Sequence, residues 1–219
     1  MTEITPQVCD VTCQSFFKKA ILFNDARCGE VAQKCLEAFT SYGLRANQID
    51  ARNGDQTFKY ELSFSLFNGN GKFKFTSEKL ELEFHNAISD KDLEVVQDCV
   101  AKVYEQVPLP EIGNTLISVN AHATLSSIEA MQRYLAAFAK PEKRIVASGA
   151  IAYVLCEKWP QEVRLMIDRS LIYPAGLFLA WSTTNPQKGL SREVLKNVRE
   201  AFDESLMNLD LTFTKTILS

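Results

Sequence analysis

Between residues 57 and 107 the spacing of apolar positions changes from two to about 3.6, which predicts three strands followed by a helix. Phe58, Tyr60, Leu62, Phe64 and Leu66 alternate with Lys59, Glu61, Ser63 and Ser65. Successive strand side chains point to opposite faces, so this run has one apolar face and one wet face. Asn68-Gly69-Asn70-Gly71 is rich in residues that tolerate positive φ and predicts a tight hairpin turn. Phe73 and Phe75 alternate with Lys72 and Lys74 beyond it. After a second turn over residues 76–79, Leu80, Leu82 and Phe84 alternate with Glu81, Glu83 and His85. The pattern is an antiparallel meander with one buried side.

The helix that follows opens at Ser89 and Asp90, whose oxygens can cap free backbone N–H groups, and Asp92 adds negative charge to its first turn. Leu93, Val96, Val100, Val103 and Val107 form one stripe, and Pro108 and Pro110 stop it. Helix and meander each have one face needing cover, so the helix is expected across the apolar face of the meander.

Upstream, residues 15–24 predict a strand that could start as early as Val8, and residues 26–43 a helix with Val31, Cys35, Ala38 and Tyr42 on one face. Gly43 stands where a C-cap glycine would. A loop over residues 44–56 has room for a short strand at residues 48–51. Downstream, residues 115–125 alternate as a strand. Ser126 and Glu129 read as a capping box for a helix that buries Ile128, Met131, Leu135 and Phe138. Strands are predicted at residues 144–157, 162–168 and 177–183, with turns at Trp159-Pro160 and Pro174-Ala175-Gly176. Ser191 caps a last helix with Leu195, Val198, Phe202, Leu206 and Leu209 inward, and residues 211–218 could add a short strand.

The two halves share one order: strand, helix, three strands, helix. Their first helices align as QKCLEAF (residues 33–39) and QRYLAAF (residues 132–138). The expected class is therefore α+β: two β-α-β-β-β-α units, residues 1–110 and 111–219, related by internal duplication and joined into one antiparallel sheet with the helices on one face. In architecture this resembles the saddle of the TATA-box-binding protein fold and the helix–meander–helix units of secretion-chaperone-like proteins. No shared motif accompanies either resemblance, so neither carries function.

Composition narrows the function classes. A chain of 219 residues can bury roughly 70% of its unfolded surface. The apolar run over residues 147–156 is too short to span a bilayer, and the first ten residues lack a signal peptide's basic start and apolar core. The expectation is a cytoplasmic protein with no membrane partner. Net charge is −3, and Lys59, Lys72 and Lys74 share the wet face with Glu61, Glu81 and Glu83, a solvated surface rather than a nucleic-acid site.

Candidate chemistry is sparse. The spacings of Cys9, Cys13, Cys28, Cys35, Cys99 and Cys156 fit no zinc pattern, and neither a phosphate loop nor a nucleophile motif is present, so no metal or cofactor is expected. The second half differs from the first in that residues 145–156 and 177–181 are small or apolar on both faces. Strands of that kind are covered on both sides, by the chain itself, a second copy or a ligand. The leading expectation is a non-enzymatic interaction module, homodimeric or bound to another protein through its second half, with Phe178 and the exposed-aromatic candidates Trp159 and Trp181 at the contact. The alternative is an enzyme or small-ligand binder with a cavity between sheet and helices, where Asn120, His122 and Arg164 supply the polar groups.

Overall fold

The computed structural model describes residues 1–53, 60–138, 149–185 and 189–214. Ten strands and four helices alternate along it: β1 (Thr2–Phe17), α1 (Asp25–Phe39), β2 (Asp50–Asn53), β3 (Tyr60–Leu66), β4 (Gly71–Phe75), β5 (Lys79–Phe84), α2 (Asp90–Gln106), β6 (Ile112–Thr124), α3 (Ile128–Ala136), β7 (Ala150–Cys156), β8 (Trp159–Arg169), β9 (Gly176–Asn185), α4 (Arg192–Met207) and β10 (Leu211–Phe213). They make the expected α+β fold. One sheet runs β2-β3-β4-β5-β1-β6-β9-β8-β7, antiparallel throughout, and β10 pairs parallel to the start of β1. Outward from the central β1–β6 pair, the first half reads β5, β4, β3 and the second β9, β8, β7, each a chain-reversed meander. Phe58 and Lys59 of the first predicted strand lie outside the described residues, as do the first five residues of the strand predicted at 144–157.

Register explains why all helices lie on one side. Phe64, Phe73, Leu82, Cys13, Ile117, Thr183 and Val163 form one continuous cross-strand row, and every member is buried. Leu66, Gly71, Phe84, Val11, Val119, Trp181 and Leu165 form the next row toward the other end of the sheet. Because side chains alternate across each strand, the intervening rows all face away from the helices. The covered face carries a single core, with Phe64 and Phe73 stacked at 4.6 Å between ring centroids. Arg192 of α4, Lys102 and Tyr42 converge on the Asp98 carboxylate of α2, with Lys102 Nζ 4.4 Å over the Tyr42 ring, so the helices are tied to each other as well as to the sheet.

Local signals act largely as the sequence predicts. Ser89 and Asp92 form a reciprocal capping box at α2, and Gly43 adopts φ 85° after α1. The NGNG turn uses left-handed backbone at Asn68 and Gly69, φ 56° and 95°. Three expectations are corrected. The first strand is Thr2–Phe17 rather than residues 15–24, because Phe17 closes onto Glu78 and the chain then leaves the sheet toward α1. The cap of α3 is Ser127, whose hydroxyl accepts from the Ala130 amide, not Ser126. Trp159 and Pro160 lie in β8, the turn falling one step earlier, at Glu157 and Lys158.

Candidate functional site

The helix-free face of the sheet divides in two. Over the first half it is a ladder of opposed charges: Lys72 faces Glu83, Lys74 faces Glu81, and Lys74 Nζ reaches Glu61 at 2.7 Å. Burial pushes the Glu81 carboxyl up, but hydrogen bonds from Lys79 and Gln14 outweigh it and hold the group below its ordinary range. His85 sits between Asp10, at 3.5 Å, and Glu83, at 3.8 Å.

Over the second half this face becomes apolar toward the β7 edge. Ile151, Tyr153 and Leu155 project from it with 54%, 63% and 78% of their surface exposed. Met166 lies opposite Ile151, Ala180 opposite Met166, and Phe178 one row on, all half-buried. In the β8–β9 turn Leu171 and Ile172 are also exposed. That turn is drawn in tightly: a Cβ on Gly176 would stand 2.8 Å from Tyr173 Cβ and 2.9 Å from Ser170 Cβ.

Of the residues singled out in the sequence, Asn120, His122, Arg164 and Phe178 all stand on this helix-free face. They therefore do not line a cavity between sheet and helices, because register puts even-numbered positions of β6, β8 and β9 on the far side. His122 packs its ring 5.0 Å from that of Phe178 and places Nδ1 2.9 Å from Ser170 Oγ. Ser170 Oγ also accepts from the Ile172 and Tyr173 amides, so the contact ties the imidazole to this turn. This histidine anchors a turn. Arg164 is exposed opposite Tyr153, and Asn120 is exposed opposite Asp10 and Ala180.

Trp159 and Trp181 are not exposed aromatics. They are 5% and 1% accessible on the covered face, where Trp159 Nε1 donates to Thr183 Oγ1 at 2.7 Å and Trp181 Nε1 to Ser205 Oγ at 3.3 Å. A buried indole N–H needs such an acceptor, and two hydroxyls supply it. The described residues do not cover both faces of the doubly apolar strands: the large side chains of β7 lie on the open face, and the smaller Ala150, Ala152, Val154 and Cys156 face the helices, with Cys156 Sγ against Ala201 and Ser205 of α4.

A separate cavity lies beneath the helices. Where α2 and α4 straddle the β1–β6 pair, a crevice of about 80 Å³ is walled by Cys9, Val11 and Cys13 of β1, Ile117 and Val119 of β6, and apolar residues of both helices. Among the described residues, Gln97 and Arg199 are its only charged or amide side chains. Neither was singled out from the sequence, where each lies beside a core position (Val96, Val198) in an otherwise apolar stripe. Burial raises the Cys9 and Cys13 thiols to about 12, so both are neutral and line the floor as small apolar groups. All six cysteines are free and buried. Among the described residues, no group of three or more His, Cys, Asp or Glu side chains is placed to hold a metal ion, and no helix is long and apolar enough to cross a membrane.

No protein-family model matches the chain, and no curated protein matches it in sequence.

Proposed function

We propose that the chain is a non-enzymatic interaction module of the cytoplasm that forms a homodimer through its second half. The observation that carries this reading is the exposure of Ile151, Tyr153 and Leu155 in one line on the helix-free face. Of the eleven large hydrophobic residues that stand exposed among the described residues, three fall at alternate positions of the single strand β7. The matched strand order of the two halves supports internal duplication, with the first half keeping a charged open face and the second an apolar strip along β7. Size-exclusion chromatography with light scattering at micromolar concentration tests the reading. The wild type should run as a dimer and Leu155→Lys as a folded monomer. A wild type that stays monomeric at every concentration overturns the homodimer.

The crevice favours a second reading, in which the protein carries a small apolar ligand. Its volume corresponds to several water-sized spheres, and an apolar cavity of this kind is more favourable filled by hydrocarbon than by water. Native mass spectrometry of protein taken directly from lysate checks it: a co-purified mass that is lost from Val119→Phe supports a ligand, and a bare chain mass argues against one.

A further inference from the structure

We infer that the dimer contact is made by β7 pairing antiparallel with β7 of a second copy, with Tyr153 on the twofold axis. The inference rests on the homodimer reading and adds the strand, the direction and the register.

Among the described residues, β7 is the end strand of the sheet and has β8 as its one neighbour. An end strand offers a row of backbone N–H and C=O groups, and folds that keep such an edge to themselves shorten it or place charge on it. The opposite edge is treated in the second way: β2 carries the Arg52–Asp50 ion pair at 2.6 Å. In contrast, β7 has seven residues, AIAYVLC, with no charge and no proline.

That sequence is complementary to itself. Reversed about Tyr153, Ile151 meets Leu155, Ala152 meets Val154, and Ala150 meets Cys156. On the open face the pairing sets Ile151, Tyr153 and Leu155 side by side with Leu155, Tyr153 and Ile151 of the second copy, giving the three most exposed side chains of the strand apolar cross-strand neighbours. On the helix-covered face it sets small residues against small ones. Leu155, at the register shift between Val154 and Cys156 against β8, is the most exposed of the three at 78%.

Charge decides between this contact and a face-to-face stack. Glu162, Arg164 and Asp168 are exposed on β8, on the same face and one strand in from the edge. Stacking two open faces would strip water from all three, whereas edge pairing leaves them at a wet rim. A twofold contact of one strand with itself also closes at two copies, and the β2 edges left at its ends carry charge.

Cysteine cross-linking in the full chain tests the register. Directly opposed Cβ atoms in an antiparallel pair lie about 5 Å apart, within disulfide reach after small adjustment. Two β8 strands in such a dimer would stand three strand spacings apart, about 14 Å, and out of reach. Under mild oxidation Tyr153→Cys should convert most of the dimer to a covalent one on non-reducing gels, and Arg164→Cys should not. A wild-type dimer in which Tyr153→Cys cross-links no better than Arg164→Cys overturns the β7 pairing while leaving the homodimer intact. A monomeric wild type overturns both. Should Tyr153→Cys reduce dimerisation, Ile151→Cys combined with Leu155→Cys, which the same register sets opposite each other, replaces it; failure of that pair in a dimeric protein also overturns the pairing.

Discussion

Ser15 Oγ and Thr115 Oγ1 lie 2.8 Å apart across the β1–β6 pair, a buried hydrogen bond between positions 100 residues apart. Tyr104 of α2 completes the group by directing its hydroxyl at Ser15. These three hydroxyls sit where the two halves of the sheet join, on the covered face, and satisfy one another there. Removing Thr115 Oγ1 by Thr115→Val takes a partner from both Ser15 and Tyr104 in the interior and should cost about 1–3 kcal/mol. Tyr104→Phe leaves the Ser15–Thr115 bond in place and should cost closer to 1 kcal/mol. Urea titration of both variants checks the order; a larger loss for Tyr104→Phe would contradict it.

Alkaline pH should unfold the protein through its buried acids. Burial raises the Cys13 thiol to about 12, burial with the adjacent Asp10 charge does the same for Cys9, and burial raises the Tyr104 hydroxyl to about 12. Each group stays neutral in the folded chain at a pH where the unfolded chain ionises. Their contribution to stability is therefore complete below about pH 9 and is lost as pH rises toward 12. The urea midpoint should be flat from pH 7 to 8 and fall steadily above 9. Iodoacetamide should leave the native thiols unmodified at neutral pH and label all six in urea.

The corrected cap of α3 makes a sharp comparison. Ser127 accepts from the Ala130 amide, so Ser127→Ala should lower stability by about 1 kcal/mol. Ser126→Ala, one residue away, should stay within about 0.5 kcal/mol of wild type. Equal losses would mean that the cap is shared between the two serines.

Much of the sheet could be read from the amino-acid pattern because most strands set strong apolar residues against charged ones. Phe73 against Lys74 or Leu82 against Glu83 leaves no doubt about sides. β1 was harder to read, since its inward positions are Cys9, Val11, Cys13 and Ser15 and its outward ones include Phe16, a contrast too weak to mark a sixteen-residue strand. The register slip between Pro6 and Val8 also reverses the parity of its inward residues partway along. In β7 the difficulty is of another kind. Both alternating sets are apolar, so periodicity separates Ile151, Tyr153 and Leu155 from Ala152 and Val154 without saying which set meets the helices. Bulk suggests the first set, and the fold uses the second. Trp159 and Trp181 illustrate the limit for sites: an aromatic beside a turn or in an apolar run has the same spacing in a core as at a contact, and only the positions of Thr183 and Ser205 settle it.

The parallel pairing of Thr2, Glu3 and Ile4 with Leu211, Thr212 and Phe213 bears on how the chain acquires its shape. β1 also takes β5 and β6 as neighbours, so its pairings close loops of roughly seventy, one hundred and two hundred residues. A ribosome would deliver this central strand early and its last partner late. Such non-local closure makes folding slow, and the Thr2–Ile4 segment of β1 waits for its partner until nearly the whole of the described chain has been made.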